Sequence, residues 1–155
     1  MIETDIHIRP FHDLDALTWH DIAALRSEVF VVEQDCVYQD LDGKDPIAYH
    51  LYWYDGKLLV ATLRILKKGE GYPDAVAIGR VVSSPERRSQ GLGHVIMKAA
   101  LDFIAKEFPE ELIRLSAQTH LSAFYERHGF QVSGEGYLED GIPHVPMLRQ
   151  NSLHS

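Results

Sequence analysis

The sequence predicts a mixed α/β domain, with one mixed, mostly antiparallel sheet flanked by helices. Three observations lead there. Apolar residues make up 45% of the 155 residues, enough to fill one compact core. Runs of β-branched and aromatic residues are joined by Asp55-Gly56 and Asp140-Gly141, dipeptides suited to tight hairpin turns. From Val76 to Ile104 a β-branched run passes through a glycine-punctuated turn straight into an amphipathic helix. No repeat, linker or low-complexity stretch divides the chain. Residues 1–149 are therefore read as one domain and 150–155 as a disordered tail.

The elements follow in order, after an opening strand. Thr18 is the expected N-cap of a first helix, with Asp21 three residues on. Trp19, Ile22, Ala23, Arg26 and Phe30 carry helical spacing through about Val32. An acidic, turn-rich stretch from Glu33 to Asp45 reads as an ordered loop or a further helical turn. Ala48–Tyr54 and Lys57–Leu66 form a hairpin, and Lys67–Asp74 a loop. The next helix presents Leu92, Val95, Ile96, Ala99, Ala100, Phe103 and Ile104 on one face and closes at Pro109. Leu112–Ala117 reads as a short buried strand. Thr119 is placed to cap a helix to His128, with Gly129 as its C′ residue. Two further strands run from Phe130 to Ser133 and Gly136 to Leu148, where Pro143 and Pro146 argue for edges or bulges.

Composition narrows the function. A net charge of −8 excludes a broad basic face for nucleic acid. The single cysteine, Cys36, rules out an internal disulfide and reads as a buried, inert thiol. Met1–Pro10 lacks the apolar segment of a signal peptide, and no run is long enough to span a bilayer, so the expectation is a cytoplasmic protein. The nine histidines include no His-Glu-x-x-His or His-x-His pair, so no metal is expected. Ser83, Ser84 and Ser89 lack the Gly-x-Ser-x-Gly elbow of a serine nucleophile.

Chemistry concentrates at the strand–turn–helix segment. A glycine turn at a helix start gathers unpaired N–H groups at the positive end of the helix dipole, and Arg80, Arg87 and Arg88 add charge. The segment reads as a phosphate cradle. It is not a P-loop, because Gly93-His94-Val95 stands where Gly-Lys-Ser/Thr is required. It is not a dinucleotide fingerprint either, because Ile96 occupies the third glycine's place. Glycines used only for tight turning are the plainer alternative.

Arg88-Ser89-Gln90-Gly91-Leu92-Gly93 resembles the Arg/Gln-x-x-Gly-x-Gly/Ala signature of the GNAT acyltransferases. The preceding strand and the later Ala123-Phe124-Tyr125-Glu126-Arg127-His128-Gly129-Phe130 match that family in type, spacing and order. In finer detail, Leu25–Gln34, Asp40–Asp45, Ile78–Val82 and Leu138–His144 resemble its ElaA branch. The resemblance implies a GNAT fold with splayed parallel central strands and acetyl-CoA as donor. It implies a pyrophosphate on the segment Arg87, Arg88, Ser89, Gln90, Gly91, Leu92, Gly93 and His94, and a pantetheine arm along Val81, Val82 and Ser83. Gln118 stands where many members carry an Asn facing that arm, and Pro146 removes a backbone donor from the acceptor wall.

The same resemblance places Tyr125 beside the sulfur as the acid that protonates the leaving thiolate. Against it stands a core reading, weighed by placing Phe124 inward and Tyr125 at the surface. Two bases are candidates: Glu33, whose apolar neighbours would raise its pKa, and His144, whose ring suits proton relay. A water chain would serve equally. The expected activity is acetyl transfer to a small-molecule or peptide amine by direct attack. A non-catalytic acyl-CoA-binding module and an acyltransferase with a longer acyl donor are the alternatives. Family resemblance also suggests a homodimer through the last strands.

Overall fold

The computed structural model describes residues 4–151. Eight strands form one sheet in the order β1-β2-β3-β4-β5-β8-β6, with β7 also pairing on β8. They are β1 (Asp5–Pro10), β2 (Tyr49–Asp55), β3 (Leu58–Leu66), β4 (Ala75–Ser83), β5 (Leu112–Gln118), β6 (Gln131–Val132), β7 (Tyr137–Glu139) and β8 (Ile142–Arg149). The helices are α1 (Ala16–Arg26), α2 (Leu92–Glu107) and α3 (Ser122–Glu126). The second hairpin turns at the expected Asp140-Gly141, whereas the first turns one residue later than expected, at Gly56-Lys57, with Asp55 still in β2 and paired to Leu58. Gly56 has φ +64°, and Asp140 and Gly141 have φ +51° and +79°, the pair of left-handed residues a two-residue turn requires.

The core has two faces. On one, Ile96, Met97, Ala100 and Ile104 of α2 pack against Val60, Leu63, Ile65 and Ile113 of the sheet. On the other, Ile22 and Leu25 of α1 and Val29 just beyond it meet Tyr52, Leu59 and Val82. With both faces covered, β3 is buried over nearly its whole length, which explains its almost unbroken apolar run.

Several local expectations are corrected. Asp15, not Thr18, caps α1: its carboxylate accepts from the Thr18 N–H at 2.7 Å. The helix then continues as a π-helical stretch, Ser27–Glu33, whose wider turn shows in Gln34 N–H to Val29 O and Cys36 N–H to Val31 O, both 3.1 Å. Thr119 caps nothing and lies inside a 3₁₀ turn, Thr119–Leu121, ahead of a short α3. The strand β8 is interior rather than an edge, lying between β5 and the β6/β7 pair. Pro146 is tolerated because its carbonyl accepts from Ser133 N–H at 2.9 Å. The N–H that proline lacks would share that side, away from β5, so the β5–β8 ladder loses nothing. Asn151, assigned to the tail, is buried, and its amide donates to Phe108 O at 2.8 Å, closing the end of α2. The rest of that tail, 152–155, lies outside the described residues.

The sheet's one parallel pair positions the site. β4 and β5 are in register only over Ala75–Ala77 against Leu112–Arg114. Beyond that they part: residues 78–83 keep β3 as partner on one side, and Leu115–Gln118 keep β8. A register shift opposite Thr62–Arg64, with Arg80 at φ +53°, bends β4 where the two strands separate.

Candidate functional site

The splay opens a cleft of about 950 Å³. Its walls include Val81, Val82 and Ser83 of β4, Gln118 of β5, Tyr125 of α3 and His144 of β8. Glu33 and Arg88 also line it. Both acid–base histidine and carboxylate candidates, the tyrosine and the β4 segment therefore meet in one space.

The turn before α2 is left-handed at two residues. Ser89 and Gly91 have φ +69° and +75°, and a Cβ at Gly91 would meet no heavy atom within 4 Å. A helix start leaves its first N–H groups unpaired at the positive end of the dipole. Gly93 serves packing instead: its Cβ would meet the Phe124 ring at 3.1 Å, so the glycine seats α2 against α3. Leu92 is buried in the core. His94 points to the α2–α3 groove, where its Nδ1 lies 2.9 Å from His128 Nε2. Of the expected cradle residues Arg87 to His94, Arg88 lines the main cleft, while Arg87, Ser89, Gln90, Gly91, Leu92, Gly93 and His94 do not.

All three arginines of the cradle have protein partners, which sequence spacing does not disclose. Arg80 turns to the acidic loop, its Nε donating to Asp40 Oδ1 at 2.7 Å. Arg87 reaches Asp55 at 3.4 Å. Arg88 holds Glu33 with both ends of its fork, Nη1 to Oε2 at 2.8 Å and Nη2 to Oε1.

That pair corrects the expected state of Glu33. The Arg88 hydrogen bond holds its carboxyl below the usual range, and desolvation, which would raise it, is the weaker influence at so exposed a position.

Nor do the acidic loop's aspartates stand open to a cationic ligand. Arg26, 1% exposed, donates to Asp40 at 2.9 Å and to Asp45 at 2.7 Å, while Arg64 donates to Asp42 at 2.6 Å and Asp45 at 3.1 Å. Burial pushes the Asp45 carboxyl up, but the bonds and charges of Arg26 and Arg64 outweigh it and hold it low. The same contest ends further down for Asp42, held by Arg64, the Lys44 N–H and Arg80. Three arginines and three aspartates thus neutralise one another and fasten the loop beside the cleft.

Tyr125 and Phe124 exchange the surroundings expected of them. Tyr125 is 7% exposed and belongs to the main core, whereas Phe124 is only partly buried. Burial pushes the phenol up to about 12. His144 donates Nδ1–H to Ile142 O at 2.7 Å, since a carbonyl can only accept, and its Nε2 lies 3.4 Å from Glu139. The Gln118 amide donates to Gln34 Oε1 at 3.3 Å. Cys36 is buried, with Sγ–H directed to Asp140 O at 3.3 Å. Among the described residues no group of three or more His, Cys, Asp or Glu could hold a metal, and no helix is long and apolar enough to cross a membrane.

Comparison with known proteins agrees with this geometry. A family described as an acetyltransferase (GNAT) domain matches residues 15–150. Protein ElaA of Escherichia coli strain K12 is 39% identical over 153 residues, covering 97% of each chain. Its crystal structure superposes with TM-score 0.87 at 36% identity, over 94% of this chain and 99% of that one. An acyl-CoA N-acyltransferase from Pseudomonas aeruginosa superposes with TM-score 0.89 at 42% identity, over 95% and 99% of the two chains. The AHL synthase LasI shares the fold alone, at TM-score 0.80 and 14% identity, over 98% and 92%.

Proposed function

The chain belongs to the GNAT acetyltransferase family, and on that premise we propose that it transfers an acetyl group from acetyl-CoA to a primary amine by direct attack. The observation that carries this reading is the parting of β4 from β5 beside the left-handed turn before α2. A two-phosphate group needs several convergent N–H donors, and a pantetheine arm, being peptide-like, can add to an unpaired strand edge. The residues present fit both needs: Gly91 leaves its space open, and Val81, Val82 and Ser83 line the cleft with no β5 partner.

When bound, the thioester supplies an activated acyl carbon. A backbone N–H near Val82 polarises its carbonyl and holds the oxyanion as the amine attacks. Tyr125 donates its proton to the departing thiolate. Burial pushes its phenol up to about 12, which keeps it protonated but makes it a weaker acid than an ordinary tyrosine, so the transfer depends on the same burial raising the basicity of the thiolate. His144 is the better-supported proton acceptor for the amine. Its Nδ1–H is committed to Ile142 O, so a proton is taken up at Nε2, where the Glu139 carboxylate 3.4 Å away favours the resulting imidazolium. Glu33, held low by Arg88, is better suited to binding an ammonium group than to taking its proton.

Thermal shift and turnover together test the reading. Acetyl-CoA is expected to raise Tm by mass action, more than longer acyl-CoAs, and a panel of primary amines to release free CoA thiol. Stabilisation without thiol release from any amine would make the chain a binding module. A larger shift with long-chain acyl-CoA would reassign the donor.

A further inference from the structure

The Arg88–Glu33 pair spans the cleft between two sites that the proposed reaction keeps separate. Glu33 ends the π-helical extension of α1, and Arg88 lies in the turn before α2, where a donor pyrophosphate would sit. Both ends of the guanidinium fork are occupied by the carboxylate. Pyrophosphate and carboxylate present the same paired oxygens to that fork, and one fork face cannot hold both. The side chains are 44% and 39% exposed, so water and salt screen the pair and it yields readily to a more highly charged anion.

We propose that Glu33 is a donor-released acceptor-binding residue. A CoA pyrophosphate takes Arg88, and the freed carboxylate then receives the ammonium group of a cationic acceptor. Before the donor binds, Glu33 is neutralised by Arg88, and Asp40, Asp42 and Asp45 are neutralised by Arg26, Arg64 and Arg80. The cleft then offers a cation little attraction on that wall. Once the donor is in place, one unpaired carboxylate stands on the cleft wall. Donor and acceptor binding are thereby coupled, with the donor first, although the two ligands need not touch.

The inference rests on the CoA reading, and one titration series separates the two. CoA and pantetheine, which lacks the phosphates, are titrated calorimetrically into the wild type and Glu33→Gln. Glu33 is exposed, so the variant keeps the fold, which circular dichroism checks. The expected result is CoA binding roughly two- to fivefold tighter in Glu33→Gln, the size of an exposed ion pair's competition. Pantetheine should bind both proteins equally, and KM for a cationic amine at saturating acetyl-CoA should rise in the variant. Failure of the wild type to bind CoA would overturn the donor reading itself. CoA binding of equal or lower affinity in Glu33→Gln, or an unchanged amine KM, would overturn the donor-release inference alone.

Discussion

Tyr125 lines the cleft, and Tyr125→Phe removes its hydroxyl while keeping the ring that packs in the core. On the proposed mechanism kcat should fall by roughly 10²-fold, with acetyl-CoA affinity little changed. Chemical denaturation should show a stability change of about 1 kcal/mol or less, because the buried ring is kept. Unchanged turnover with every accepted amine would remove Tyr125 from the chemistry. The two glycines of the turn should separate in the same assay. Gly91→Ala meets no neighbour and bears only the left-handed strain, about 1–2 kcal/mol, together with weakened CoA binding. Gly93→Ala instead presses the Phe124 ring, so its effect should fall on α2–α3 packing, with the ring's movement deciding the size.

The acidic loop is an element whose order depends on charge. Asp45 is 3% exposed and bonded to both Arg26 and Arg64. Asp45→Asn keeps its shape but leaves two buried guanidinium groups short of a counter-charge. A loss of about 3–5 kcal/mol is expected, measured by urea denaturation. Hydrogen exchange should quicken first in residues 36–47. These pairings were not legible in the sequence, because Arg26 meets carboxylates 14 and 19 residues away and Arg88 meets one 55 residues away. Local spacing reaches only neighbours on one helix face or one strand pair. Hairpins and the α2 stripe were legible because their signals are local: Asp-Gly turns and a 3.6-residue period. The environments of Phe124 and Tyr125 were not, because α3 is too short for periodicity to choose its buried side and packing against α2 chose instead.

Over the whole molecule, protonation should erode stability in two stages on the acid side. Burial, opposed only in part by Asp45, lowers the His50 pKa below its usual 6.5, and burial with His94 and Arg149 lowers that of His128. The unfolded chain therefore takes up protons first as pH falls, so this contribution is complete above 6.5 and declines below it. Asp42 and Asp45 lie below 3.8 in the folded protein, so a second loss follows as pH passes under that value. Unfolding free energy followed between pH 8 and 3 should decline in that order; a maximum near pH 5 would contradict it. The sheet, its splay and the glycine turn act as one device, and its function depends on where the donor lies in it. A crystal structure of the protein with acetyl-CoA tests that most directly. The pyrophosphate is expected at Gly91, the pantetheine arm between β4 and β5, and the thioester sulfur within hydrogen-bond reach of the Tyr125 hydroxyl. Density for the nucleotide confined to the α2–α3 groove at His94, Arg127 and His128, with the β4–β5 cleft empty, would contradict it.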